Sequence, residues 1–275
     1  MSPSLIPPAP AVPDGARAEG PVLLRYEDVS QEGRLLLLGV PQAIDQICWP
    51  DVMRHEEMRA LLTSGVIPIR ARMVVEGGQG PLSALFPVRG VGAWHRAAVR
   101  GPDGAVQRLL MVMWTDLYAR KGWTLLPPDP AAPELHAGRV YVEHIYTRLW
   151  ADRGDRRVTE VPGWTPRDDQ PERRPHEVAP DAPPQQRRTR TLGLMHTDPN
   201  NHVNSLVYPR IFEEEALLLR GGSEAARAFE IVWRKPFFAG ETVTLTQWVV
   251  GDEVHGHFLD ASGAARARMT MRWGG

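Results

Sequence analysis

The stretch HTDPNNHVNSLVYPRIFEEEAL, residues 196–217, joins a polar loop to a helix-forming segment. Polar side chains occupy every second position of the loop: Asp198, Asn200, His202 and Asn204. In an extended chain, alternate side chains leave the backbone on the same side, and Pro199 biases the residue before it towards that extended state. The spacing therefore predicts a carboxylate, amides and an imidazole facing one pocket, and Asn201 is suited to a positive φ if the loop turns there.

A helix is predicted directly after this loop, from about Ser205 to Arg220, with Gly221-Gly222 as its end. Its first N–H groups lack partners within the helix and carry partial positive charge, and Asn204 or Ser205 is suited to cap them. Acyl transfer to water requires an acid/base group, a positioning amide and a donor for the oxyanion. The loop and the helix start together contain those groups.

The C-terminal part of the chain has the order strand, helix, four strands. Arg188–Met195 is predicted as the first strand. Apolar or alternating segments separated by turn-forming pairs follow the helix: FEIVWRKPF, ETVTLTQWVV, EVHGHFL and AARARMTMRW. One long helix against an antiparallel sheet is an α+β layout.

The N-terminal part repeats this order more loosely. PVLLRYEDV is predicted as a strand and Pro41–Leu62 as a helix. Strand-like runs follow: VIPIRARMVVE, SALFPVRGVGAWHRAAV and AVQRLLMVMWTDLYA. Two parts with the same element order predict an internal duplication.

The chain is predicted to divide into four parts. These are a flexible tail at 1–20, a folded domain at 21–126, a linker or surface excursion at 127–186 and a second folded domain at 187–275. The linker is predicted because 153–186 is charged and carries seven prolines, a spacing that no strand or helix tolerates. The run from Glu134 to Trp150 fits neither repeat.

Composition excludes several classes of protein. The 275 residues include 32 basic and 33 acidic side chains, so no excess charge points to nucleic acid. No stretch approaches the roughly 20 apolar residues of a membrane helix, and we expect no membrane partner. The single cysteine, Cys48, excludes an internal disulfide, and a cytoplasmic location is expected because the N-terminus does not resemble an export signal.

No metal or cofactor is expected either. His196, Asp198 and His202 are residue types that bind metals. However, alternate residues of one extended segment rarely enclose an ion by themselves. We therefore expect His196 to pack against the loop.

The residues 196–217 resemble the D-x-D/N-x-x-H-V-N-N-x-x-Y segment of hotdog-fold thioesterases, in particular acyl-ACP thioesterases and relatives of 4-hydroxybenzoyl-CoA thioesterase. IVWRKPFFAGETVTL resembles the strand-turn-strand that follows the hotdog helix in those enzymes, and YEDVSQEGRLLLLGVPQAIDQ resembles the opening of their N-terminal hotdog. The resemblance implies a double hotdog with one active and one degenerate half, which hydrolyses the acyl thioester of CoA or of an acyl carrier protein.

The same resemblance implies roles for individual residues. Asp198, Asn200 and His202 take the positions of the family's catalytic aspartate, asparagine and histidine. The substrate and oxyanion region comprises Asn204, Ser205 and Tyr208, and support is expected from His196 and Glu214. Ser205 stands where the family has a second asparagine, and Pro236 and Phe237 stand near the position of a further acidic or thiol residue of the plant enzymes.

Glu214 is selected from the helix because it shares a stripe with Val207, Ile211 and Leu218, where a carboxylate needs a partner. The basic runs at 173–174 and 187–190 are candidates for the phosphates of coenzyme A or for an acidic carrier.

Two other functions remain open at this stage. One is a non-catalytic protein that binds acyl groups or docks a carrier. The other is a different hotdog enzyme such as a dehydratase, although the H-x-x-x-G-x-x-x-x-P arrangement of those enzymes is absent from the helix region. Both a monomer and a homodimer are compatible with the sequence.

Overall fold

The computed structural model describes residues 6, 17–123, 125–148, 150–152, 154–166, 182–222 and 224–274. These residues fall into two compact units, one within Ile6–Arg173 and one within Arg174–Gly275. Most of the predicted tail at 1–20 and part of the predicted linker lie outside the described residues. No helix of the described ranges is long and apolar enough to span a membrane.

The N-terminal unit is a five-stranded antiparallel sheet with short helices. Its strands are β1 (Ala18–Val22), β2 (Val66–Gly77), β3 (Val88–Arg100), β4 (Val106–Arg120) and β5 (Glu134–Arg148). They pair in the order β1-β3-β4-β5-β2. The helical elements between β1 and β2 are a π-helical turn (Ile44–Cys48), α1 (Trp49–Val52) and α2 (Glu56–Thr63).

The C-terminal unit combines one long helix with a second five-stranded antiparallel sheet. Its elements are β6 (Gln186–Thr191), α3 (Val207–Arg220), β7 (Ala228–Trp233), β8 (Thr242–Val250), β9 (Glu253–Leu259) and β10 (Ala265–Arg272). The strands pair in the order β6-β8-β9-β10-β7.

The two units share this topology strand for strand, whereas the predicted repeat was looser because it left 134–150 unplaced. The likeness extends to the loops before the helices. An isolated antiparallel bridge joins Val29 to Leu35 in the first unit, and another joins Thr197 to Val203 in the second. Both bridges span the same number of residues, and each follows a short 3₁₀ turn.

Helix α3 lies against the sheet because one of its faces is apolar. Its buried residues are Tyr208, Pro209, Ile211, Phe212, Glu215 and Ala216. Phe212 is fully buried and contacts Phe258 of β9, with ring centroids 6.2 Å apart. The helix ends as predicted at Gly221, whose φ is 68°, a left-handed conformation that glycine adopts without a steric cost.

Three predictions about elements are wrong. Ala18–Gly20 were assigned to the flexible tail, but they begin β1. Glu134–Arg148 lie in the predicted linker, but they form β5, which pairs with β4 on one side and with β2 on the other. The proline-rich loop before β5 hides this strand in the sequence, and one of its two partners, β2, is distant along the chain.

The predicted helix at 41–62 is also broken into three pieces. Pro50 has no N–H to donate to the carbonyl four residues earlier. The N–H of Trp49 instead bonds to the Ile44 carbonyl, five residues back, which produces the π-helical turn. The chain then leaves the helix after Val52 and begins α2 at Glu56.

Candidate functional site

The polar loop before α3 is a tight turn and not an extended segment. The N–H of Asp198 donates to the His202 carbonyl (3.1 Å), and the N–H of Asn201 donates to the Asp198 carbonyl (2.9 Å). Asn201 has the positive φ, 61°, that the sequence allowed. The expectation of an extended segment is wrong because the Asp198 carboxylate accepts the N–H of Asn200 (2.9 Å), an Asx turn that folds the loop back.

This turn brings Asp198 and His202 together. The Oδ1 atom of Asp198 lies 3.8 Å from Nδ1 of His202, and the exposed fractions of the two side chains are 18% and 36%. Nδ1 of His202 is itself buried and has no hydrogen-bond partner among the described residues. The imidazole therefore presents this nitrogen towards the carboxylate without a bond that fixes it elsewhere.

Two amides lie close to the same carboxylate, but in different ways. Nδ2 of Asn204 is 3.5 Å from Oδ2 of Asp198, at the outer limit of a hydrogen bond. Asn200 contributes its backbone N–H to Asp198, while the residue as a whole is exposed. Asp198, His202 and Asn204 are thus brought together by side chains, and Asn200 joins them through its backbone.

Asn204 also organises the start of α3. Its Oδ1 accepts the N–H of Leu206 (2.9 Å), and its carbonyl accepts the N–H of Val207 (3.0 Å). The helix begins two residues later than the predicted Ser205. Pro209 occupies the first turn, where a missing N–H costs no bond within the helix.

Tyr208 stabilises the loop from the protein interior. Its side chain is buried, and its hydroxyl accepts the N–H of Phe237 (3.3 Å). The carbonyl of Phe237 in turn accepts the N–H of Val203 (2.8 Å), so Tyr208 is linked to the loop through one residue. Burial raises the pKa of Tyr208 to about 12.

His196 performs a comparable supporting role. Its Nδ1 accepts the N–H of Gly193 (2.9 Å), and its carbonyl accepts the N–H of Asn204 (2.9 Å). The 3₁₀ turn Leu194–His196 replaces the end of the predicted strand at 188–195. The side chain of His196 therefore stabilises the turn that leads into the site.

The buried carboxylate of helix α3 is Glu215 and not the predicted Glu214. The side chain of Glu214 is 57% exposed, and it lies 3.7 Å from Arg190. Glu215 is buried and bonds to Arg190 (2.8 Å) and Gln186 (3.0 Å) of β6. Its buried neighbours Phe212 and Ala216 show which face of the helix packs on the sheet. The stripe used for the prediction, which contained Glu214, did not identify that face.

This difference predicts unequal effects of two matched substitutions. Glu215→Gln is expected to lower the free energy of unfolding by about 1–2 kcal/mol, because it weakens charge-assisted hydrogen bonds whose arginine partners keep contact with water. Glu214→Gln is expected to change it by less than about 0.5 kcal/mol. Urea denaturation followed by circular dichroism measures both values, and equal effects would show that Glu215 has no special structural role.

Cys48, the only cysteine, lies in the N-terminal unit and is fully buried. Its Sγ is 3.3 Å from the hydroxyl of Thr115. Burial raises the pKa of the thiol to about 12, so the reactive thiolate does not form at neutral pH. The structure thus gives this cysteine a packing role.

Other features of the described residues lie apart from the loop. The described residues contain no group of three or more histidine, cysteine, aspartate or glutamate side chains that could hold a metal ion. Two cavities of about 380 Å³ each are lined by N-terminal-unit residues between Leu61 and Pro166. His255 is buried beside Glu253 and Thr270 within the C-terminal sheet.

Comparisons with known proteins identify the fold. No protein-family model and no curated protein matches the sequence. An acyl-ACP thioesterase from Bacteroides thetaiotaomicron superposes with a TM-score of 0.65 at 13% identity, covering 94% of this chain and 98% of that one. The 12:0-ACP thioesterase from Umbellularia californica superposes with a TM-score of 0.64 at 13% identity, covering 96% and 99%.

A MaoC-like dehydratase from Phytophthora capsici is also similar, with a TM-score of 0.51 at 13% identity over 77% of this chain and 70% of that one. The chain therefore has a hotdog-like fold, shared with acyl-ACP thioesterases and with a dehydratase. At these identities the likeness establishes the fold, and the chemistry must be argued from the site.

Proposed function

We propose that the protein hydrolyses an acyl thioester, carried by an acyl carrier protein or by coenzyme A, to the free acid and the thiol. The observation that carries this proposal is the convergence of the Asp198 carboxylate, the His202 imidazole and the Asn204 amide in one turn before helix α3. The hotdog-like fold supports it, because acyl-ACP thioesterases have that fold.

In one form of the reaction Asp198 is the general base. A water oxygen forms a bond to the thioester carbonyl carbon while its proton passes to the carboxylate. The tetrahedral intermediate then collapses, the C–S bond breaks, and the proton moves to the departing thiolate. In the other form the carboxylate itself attacks the carbonyl carbon and the C–S bond breaks, which gives an anhydride; water then hydrolyses the anhydride and supplies the proton of the departing thiol.

His202 and Asn200 orient the water in this proposal. Nδ1 of His202 is buried and lies 3.8 Å from Oδ1 of Asp198, so the imidazole acts on the water through the carboxylate, which it holds in position. Asn200 is exposed in the turn, and in this proposal its amide forms a hydrogen bond to the same water.

The oxyanion is assigned to the first turn of α3. Pro209 has no N–H, and the N–H of Val207 is donated to the Asn204 carbonyl. We therefore assign the role to the backbone N–H of Tyr208, whose side chain is engaged with Phe237. Ser205 and Asn204 complete the proposed substrate region beside it.

We further propose that the two units are two hotdogs, of which the first is degenerate. Ser30 follows Val29, as Asp198 follows Thr197, in the matching bridged loop. Arg34 precedes Leu35 at the position that His202 holds before Val203. The N-terminal loop therefore has no carboxylate at the position of Asp198 and no imidazole at that of His202, and its one acidic residue, Glu32, stands at the position of Asn200.

Release of thiol from a panel of acyl-CoA and acyl-carrier substrates tests the proposal. A thiol-reactive dye reports turnover, and a parallel binding measurement uses a non-hydrolysable thioether analogue. Turnover with at least one chain length supports hydrolysis. Binding of the analogue without thiol release from any substrate would instead favour a non-catalytic acyl-binding protein.

A further inference from the structure

Two loops of the N-terminal unit carry a group of exposed apolar side chains. The segments 78–87 (GQGPLSALFP) and 122–128 (GWTLLPP) contain no charged residue. Their exposed apolar residues are Leu85 (59%), Phe86 (37%), Trp123 (73%), Leu125 (61%) and Leu126 (60%). We call these five residues the loop-tip patch.

The two loops lie side by side at one end of the strands. Leu82 of the first loop forms a bridge with Lys121, and the N–H of Gly122 donates to the Pro81 carbonyl (3.0 Å). Leu23, which is 64% exposed, directly follows β1, and the end of β1 pairs with the start of β3. Leu23 therefore lies at the same end of the sheet as the loop-tip patch.

These side chains protrude from the surface. All of them except Phe86 have exposed fractions near 60% or above, which means that they stand clear of their neighbours. The N–H of Leu126 donates to the Trp123 carbonyl (3.1 Å), and Pro127 and Pro128 follow, which restricts the backbone of the tip. Such a surface costs free energy in water, and contiguous exposed apolar side chains of this kind mark interaction sites.

The shape and the chemistry of the surface distinguish between possible partners. Protruding tips insert into a fluid layer without a complementary recess, whereas a contact with a second copy requires surfaces that pack at the density of a protein interior. The tips carry no charge, whereas charged side chains stand at their base: the exposed Lys121, and Glu32 and Arg34 on either side of the Gly33 carbonyl that accepts the N–H of Leu82. Apolar tips with tryptophan above a charged base fit the boundary between lipid headgroups and acyl chains.

We propose that the loop-tip patch inserts into the surface of a lipid bilayer and holds the protein there peripherally. The expectation of no membrane partner rested on the absence of a spanning stretch, whereas peripheral insertion requires only a few apolar side chains. This proposal does not depend on the hydrolytic activity, since its surface lies within the N-terminal unit.

Co-sedimentation of the full chain with vesicles of phosphatidylcholine and phosphatidylglycerol tests the proposal. The wild-type protein is expected to bind, and Leu125→Ser combined with Leu126→Ser is expected to lower the partition coefficient at least tenfold, because binding scales with the apolar area inserted. Brominated lipids are expected to quench less tryptophan fluorescence in Trp123→Phe than in the wild-type protein.

A matched control replaces two exposed apolar residues elsewhere, Leu218→Ser combined with Val250→Ser, and is expected to bind vesicles like the wild type. Circular dichroism verifies that both double variants are folded. The proposal is overturned if the wild-type protein fails to sediment with the vesicles, or if the loop variant binds them as well as the wild type. A dimer detected by light scattering that only the loop variant loses, without vesicle binding, would assign the patch to self-association.

Discussion

Asp198→Asn is expected to lower the kcat/KM for acyl thioester hydrolysis by about 10²–10⁴, the usual cost of removing a general base or nucleophile. The amide cannot take a proton from water or attack a carbonyl carbon. It does retain Oδ1, which accepts the N–H of Asn200 and holds the turn. Steady-state thiol release with the best substrate of the panel measures the loss, and thermal unfolding is expected to stay unchanged.

The matched control is Asp103→Asn in the turn between β3 and β4. Its Oδ1 accepts the N–H of Ala105 two residues later (3.1 Å), the same local arrangement as at Asp198. This variant is expected to hydrolyse thioesters at the wild-type rate. Full activity of Asp198→Asn would reject the proposed role of the carboxylate.

Gly256→Ala is expected to lower the free energy of unfolding by about 3 kcal/mol. A Cβ atom at this position of β9 would lie 2.4 Å from the Thr246 carbonyl oxygen and 2.7 Å from Cε2 of Phe212. The first contact is with the backbone of the neighbouring strand, which cannot rotate away. The second is with the ring by which helix α3 packs on the sheet.

Urea denaturation compares this variant with Gly20→Ala in β1. The Cβ atom of that control meets only Cδ1 of Ile47, at an ordinary contact distance of 3.4 Å. The control is expected to unfold within about 0.5 kcal/mol of the wild type. Equal stability of the two variants would mean that the helix and the sheet separate readily at Gly256. Because α3 carries the candidate site at its start, Gly256→Ala is also expected to reduce any hydrolytic activity.

Asp198 and His202 were identified from their local spacing, but for an incorrect reason, since an extended segment was assumed. They meet because residues four apart approach each other across a tight turn. The Asx bond of Asp198 and the positive φ of Asn201 produce that turn, and both residue types favour it.

Helix α3 shows where the local pattern was ambiguous. Glu213, Glu214 and Glu215 are consecutive, and because an α-helix rotates by about 100° per residue, each lies on a different face. Apolar periodicity selected the stripe of Glu214, whereas the sheet covers the stripe of Glu215. The choice depended on Arg190 of β6, which lies 25 positions earlier in the chain and pairs with the helix only after folding.

The amino-acid sequence by itself determined the α+β class, the repeated order of elements, the end of α3 at Gly221 and the loop that holds the candidate site. All of these depend on residues close together in the chain, where backbone conformation and apolar periodicity act directly. Only the tertiary structure decided that Glu134–Arg148 is a central strand and that Glu215 is the buried carboxylate. It also placed Trp123 and Leu85 on one surface. These features depend on contacts between residues far apart in sequence, which local preferences do not specify.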